Sequence, residues 1–149
     1  MHISTRQIFM SLLCGWVLFL SANAEITPLR LFQTQWTIEN GLPQSGVTSL
    51  AQTKDGYLWI GTFGGLARFD GVRFKIFNTS NAPQLKTSRI ISLAVDKEDC
   101  LWIGTEVGDV ITYKNGQFKT VDTGENYGRE MVNDIYVDDT GVVWISGFG

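Results

Sequence analysis

The chain has 149 residues, with 12 Lys+Arg against 15 Asp+Glu, a hydrophobic fraction of 44% and 12% aromatics. That length suits about one domain, and so apolar a chain with a net charge of only −3 is not a disordered one. No Lys/Arg cluster is present, which argues against nucleic acid as a partner.

Ile8–Leu20 is an uncharged apolar run of 13 residues behind Arg6, followed by small residues at Ala22 and Ala24. This order predicts a signal peptide over 1–24, cleaved after Ala24 and directing the rest to export. The run falls short of the ~20 residues that span a bilayer. Cys14 follows Leu13 rather than a small residue, so it is not read as a lipidation site. Cleavage removes His2, Cys14 and Arg6, leaving a mature chain of net charge −4 with Cys100 as its only cysteine and no histidine. An intrachain disulfide, Ser-His-Asp or Cys-His catalysis, and a His- or Cys-based metal site are then excluded. No cofactor or metal is expected.

Residues 25–46 form a lead-in, in which Leu31–Ile38 reads as an outer strand able to close a ring of blades. Three segments then align on a tryptophan: Val47–Thr62, Ile90–Thr105 and Val132–Gly147. Trp59, Trp102 and Trp144 are spaced by 43 and 42 residues. An aliphatic stands nine residues before each (Leu50, Leu93, Ile135), with Thr53, Asp96 and Asp138 six before. Gly56, Asp99 and Gly141 stand three before, and Gly61, Gly104 and Ser146 two after. The runs around the tryptophans are apolar on both faces, as strands buried on both sides are. Gly64-Gly65 leads into a third strand, Leu66–Phe69, and Asp70-Gly71 into a fourth, Phe74–Phe77. The second repeat follows with Val110–Tyr113, the turn Asn115-Gly116 and Phe118–Val121. Four short antiparallel strands per 40-odd residues predict an all-β fold of β-propeller blades. Two repeats are full (47–89 and 90–131) and a third has only begun (132–149), so the sequence reads as the N-terminal part of a longer protein. Trp59, Trp102 and Trp144 are expected as wedges between blades, with Gly61 and Gly104 leaving room for close approach. Cys100, in the slot of Tyr57 and Val142, is expected as a small buried hydrophobe.

The run Trp36-Thr37-Ile38-Glu39-Asn40-Gly41-Leu42-Pro43-Gln44-Ser45, with Gly56–Thr62 and Gly65–Gly71 behind it, closely resembles the start of the two-component regulator propeller sensors. The chain departs from the family pattern at Asp99, in place of a turn glycine, and at Val107–Val110, in place of Gly-Gly-Leu. The resemblance implies a periplasmic sensor domain of a receptor anchored in the inner membrane. Its ligand would be a small molecule or oligosaccharide, and its output a histidine kinase or diguanylate cyclase in the rest of the receptor chain, a homodimer at full length. This chain itself is then not an enzyme.

Propeller ligands usually meet the channel mouth, formed by the loops entering each innermost strand and by the loops between second and third strands. Here these hold Gln44, Ser45, Ser88, Arg89, Arg129 and Glu130, together with Phe63 and Glu106. Arg89 and Arg129 could grip an anionic group by paired N–H donors; the plainer reading pairs them with Glu106 and Glu130. Two rival functions stay open: a stand-alone exported binding module, and a propeller lyase or hydrolase. The recurrence of Asp96 and Asp138 at one repeat position points to a structural turn contact rather than to paired catalytic carboxylates.

Overall fold

The computed structural model describes residues 32–124 and 130–147. The expected signal peptide, the first residue of the expected closing strand and Arg129 lie outside them. The chain divides into Met1–Thr34 and Gln35–Gly149, and the following concerns the second unit.

Its regular structure is almost wholly β. Strands β1 Val47–Gln52, β2 Leu58–Thr62, β3 Gly65–Phe69 and β4 Phe74–Phe77 form one antiparallel sheet in the order β1-β2-β3-β4. Strands β5 Ile90–Val95, β6 Leu101–Thr105, β7 Val110–Lys114 and β8 Gln117–Thr120 repeat that order in a second sheet. A third begins with β9 Val132–Val137 and β10 Val143–Gly147. The four-stranded blades expected from the repeat are therefore present. β1 lies beside β5, and β5 beside β9, so first strands line up on one side and β4 and β8 take the outer edge.

The β1–β2, β5–β6 and β9–β10 turns need a left-handed residue at the third position before the tryptophan: Gly56 (φ 88°), Asp99 (φ 63°) and Gly141 (φ 89°). An aspartate there is strained relative to glycine. The structure explains it, because the Asp99 carboxylate accepts the Lys54 backbone N–H of the neighbouring blade at 2.7 Å. The departure from the repeat is thus a clasp between blades.

Two apolar layers sit between blades. The first joins Trp59, Leu66 and Phe77 of blade one to Ile90, Leu93, Leu101, Ile103 and Ile111 of blade two, with Leu85 driven in between. Burying a leucine-sized side chain contributes ~1.5–3 kcal/mol. Leu85 also shows that the repeat begins earlier than its strands do. Leu42, spaced 43 residues before it, packs on Ile60, Ala67 and Phe69 in the same manner. A compact turn places Leu42: Asn40 N–H and Leu42 N–H both donate to the Thr37 carbonyl, at 3.0 and 3.2 Å. The second layer joins Val110 to Val132 and Ile135, with Trp102 and Ile145 against it.

Burial of the three tryptophans follows how much of the next blade is present, complete beyond Trp59 and only two strands beyond Trp102. Trp59 is 1% exposed, Trp102 is half-buried, and Trp144, with no blade beyond it among the described residues, is 60% exposed. Cys100 is only partly buried, because it stands just ahead of β6 rather than within it. Residues 32–37 form no ladder among the described residues; Trp36 lies edge-on to Phe69, ring centres 5.1 Å apart.

Candidate functional site

The loops entering first strands and those following second strands meet at one end of the blades. Phe63 directly follows β2, Arg89 directly precedes β5, and Glu106 directly follows β6. Glu106 N–H donates to the Arg89 carbonyl at 3.1 Å, which holds the two backbones together across the blade. The Arg89 Nε pairs with the Glu106 carboxylate, and its guanidinium carbon stands 4.2 Å from the centre of the Phe63 ring. An aromatic face, a cation and an anion from two blades are therefore in one cluster, each side chain partly exposed. Such stacking is favourable for guanidinium, whose planar charge is weakly hydrated.

Gln44 reaches the same end: a Cβ built on Gly64 would stand 3.3 Å from its Cβ and 2.9 Å from the Pro43 carbonyl oxygen. Ser45 is exposed and Ser88 half-buried beside these residues in the chain, while Glu130 is exposed in the segment before β9. Four of the eight residues named from the sequence (Gln44, Ser45, Ser88 and Arg89) thus come from the loops entering β1 and β5, Phe63 and Glu106 come from the facing loops, Glu130 precedes β9, and Arg129 lies outside the described residues. The sequence reading missed the pair Lys86–Asp109, 2.7 Å apart in the segments before β5 and after β6. The second oxygen of Asp109 is buried without a hydrogen bond among the described residues. Its signal was visible as the departure at Val107–Val110. A cleft of about 550 Å³ lies between the outer strands β4 and β8, along Lys75, Phe77, Gln117 and Phe118.

The carboxylates that could have been catalytic are engaged in turns. Asp96 Oδ2 accepts the Trp102 indole N–H at 2.8 Å and Asp96 Oδ1 the Cys100 backbone N–H at 2.8 Å. Asp138 does the same for Trp144 and Val142, at 2.8 and 3.0 Å. In the first repeat the Thr53 hydroxyl accepts the Trp59 indole N–H at 3.1 Å. Hydrogen bonds from the Thr140 hydroxyl and then the Trp144 indole hold the Asp138 carboxyl below the usual carboxylate range. Burial pushes the Cys100 thiol up.

A repeated four-stranded blade with tryptophan wedges, antiparallel throughout, defines a propeller-type repeat protein. Residues 41–64 and 84–107 match the family described as two component regulator propeller, the family that the sequence resembles. The matched stretches begin beside Leu42 and Leu85, the boundary that packing shows. Among curated proteins, a histidine kinase of Formosa agariphila, named P4, is 49% identical over 49 residues, 33% of this chain and 3% of that protein. Among solved structures, the extracellular domain described for a hybrid two component system of B. thetaiotaomicron superposes with a TM-score of 0.62 at 20% identity, covering 77% of this chain and 16% of that one. A second extracellular domain from that organism, described as of a one component system, gives 0.58 at 29% identity, covering 76% and 15%. The chain thus spans a small part of the length of the relatives it matches. Among its described residues no helix is long and apolar enough to cross a membrane.

Proposed function

We propose that this chain is part of the periplasmic sensor domain of a receptor of the two-component or diguanylate-cyclase type, capturing a small ligand at the blade end where Phe63, Arg89 and Glu106 meet. The observation that carries the reading is the agreement between the matched repeats and the sensor extracellular domains they superpose on. The site supports it chemically: Glu106 engages Nε of Arg89, so the outer edge of the guanidinium is turned to whatever enters the mouth, with Phe63 as an apolar platform. A hydroxyl-rich or carboxylate-bearing ligand, an oligosaccharide among them, suits that combination. Capture shifts the arrangement of the full ectodomain, and a homodimeric receptor carries that shift across the inner membrane.

The test is calorimetric titration with a panel of neutral and acidic oligosaccharides. Binding by one class, lost in Arg89→Ala and Phe63→Ala but kept in Asp70→Ala, is the expected result. Binding that survives both mouth substitutions removes the site. A coding sequence that continues with neither a ~20-residue apolar segment nor a signalling domain removes the receptor.

A further inference from the structure

The two full blades meet along a seam that is closed on its inner side and open on its outer one. Inside, Ile90 of β5 is seated over Gly61, where a Cβ would come within 3.0 Å of Ile90 Cγ2, and Ser49 Oγ accepts the Leu93 N–H at 3.0 Å. Ser92 Oγ does the same for the Ile135 N–H of the next blade, at 3.0 Å. Outside, Trp59 and Phe77 of the first blade and Tyr113 and Phe118 of the second form one aromatic bed, with neighbouring ring centres 4.7–6.0 Å apart. Phe77 and Phe118 carry that bed to the wall of the 550 Å³ cleft.

Two cations stand over the bed. Arg68 and Lys75 are directly opposite in the β3–β4 register, on the face that carries Leu66 and Phe77 into the seam. The Arg68 guanidinium carbon lies 4.1 Å from the centre of the Tyr57 ring and 5.8 Å from that of Trp59, and the Lys75 ammonium lies 5.2 Å from that of Phe77. Like charges directly opposite on a sheet repel, and a half-buried charge calls for a counter-charge. Neither cation has an ion-pair partner among the described residues. The acids that share a cavity with Arg68 are engaged in turns: Asp55 accepts the Thr53 hydroxyl and Asp99 the Lys54 N–H. The repeat itself does not demand two cations here, since the second blade has Thr112 and Lys119 at these positions. Arg68 lines a cavity of about 150 Å³, Lys75 lines the larger cleft, and Gly116 is part of the wall of both.

We propose that this outer cleft binds a small aromatic carboxylate. Its carboxylate lies between Arg68 and Lys75, supplying the missing counter-charge, and its ring lies against Phe118. Stacking on Tyr57 fixes the plane of the guanidinium and leaves its N–H edge for bidentate contact with a carboxylate. A flat apolar body fits the remaining wall better than a saccharide does. Hydroxyl groups need acceptors, yet the cleft is lined by no carboxylate, and the Asn81 amide is spent on the Ile76 carbonyl and the Asn78 N–H. The volume falls within the ~300–1,000 Å³ of small-molecule pockets. No lining residue belongs to the mouth, so the inference goes beyond the ligand proposed there and does not depend on it.

Titration of the chain with phenylacetate, followed in ¹H–¹⁵N correlation spectra, is the test. The expected result is a saturable shift of the Arg68, Lys75 and Gly116–Phe118 amides. Acetate, which lacks the ring, and benzyl alcohol, which lacks the charge, bind at least about ten-fold more weakly. Lys75→Gln weakens phenylacetate by about ten-fold, Lys75→Arg retains it, and Lys119→Gln, at the same place in the second blade, has no effect. Lys75 is exposed on an outer strand, so its variants decide the matter even if Arg68→Gln misfolds. Absence of a saturable shift overturns the proposal, as does binding that is unchanged in Lys75→Gln or that moves Phe63 and Arg89 instead. Acetate binding as tightly as phenylacetate leaves only a charge effect, and galacturonate binding as tightly makes the site a saccharide one; either result overturns it too.

Discussion

Replacing Gly104 by alanine isolates the contact on which blade stacking rests. Gly104 is not among the left-handed residues, so alanine fits its backbone and any penalty comes from the neighbour. The new Cβ would stand 2.4 Å from Val132 Cγ1, 2.9 Å from Val132 Cβ and 3.3 Å from Ile135 Cδ1. Separations of this kind are about 1 Å inside contact distance, and Val132 is fully buried, so the seam must open. Overpacking of this sort costs ~1–3 kcal/mol, less the ~0.5 kcal/mol that alanine gains over glycine in a strand. The net expectation is a loss of about 2 kcal/mol, or roughly 10 °C in Tm for a domain of this size. Gly61→Ala, facing Ile90 Cγ2 at 3.0 Å and the Thr48 hydroxyl at 2.9 Å, should cost less. Val132→Ala alone leaves a cavity and costs on the order of 2 kcal/mol. In the double variant Gly104→Ala/Val132→Ala the new methyl takes the vacated space, so the two losses are expected to cancel by at least ~1 kcal/mol. Urea denaturation followed by circular dichroism measures all four. Strict additivity, or a Gly104→Ala variant as stable as the parent, would falsify the seam argument.

Asp96→Ala removes the acceptor of the Trp102 indole and of the Cys100 N–H; a destabilisation of ~1–3 kcal/mol is expected, with Asp96→Asn intermediate, both read from urea midpoints. For Asp138, a carboxyl held below its ordinary value of 3.8 contributes stability that is fully present above that pH and declines as pH falls beneath it. The wild-type chain should therefore lose stability between pH 4 and pH 2 more steeply than Asp138→Asn (a window of about two units), and parallel acid limbs would remove the assignment. Asp99→Ala loses the clasp to Lys54 N–H while keeping a left-handed non-glycine residue, so a cost of about 1–2 kcal/mol is expected. Asp99→Gly relieves the strain and should fall between it and the parent; a destabilisation larger than that of Asp99→Ala would show the clasp to be misread.

The strands and turns of this protein were legible in the sequence because they are local. Two-sided apolar runs such as Leu58–Thr62, punctuation such as Asn115-Gly116, and a tryptophan recurring at 43 and 42 residues need no knowledge of neighbours. The turn role of Asp96 and Asp138 was legible for the same reason, as the indole each carboxylate accepts lies six residues away. The blade-to-blade chemistry was not. Ser49 and Ser92 look like ordinary strand residues, and Leu42 and Leu85 like loop residues, until the next blade shows what each one touches. Asp99 reads as a blemish in a turn until Lys54 is brought across from the neighbouring blade. Of the candidate mouth, the sequence named residues but not partners: whether Arg89 would stand in water or against Glu106 and Phe63 depends on side chains 17 and 26 positions away in the chain. Local pattern determines a blade, whereas contacts separated by a whole repeat, which only folding brings within bonding distance, decide how blades lock together and what their end can hold.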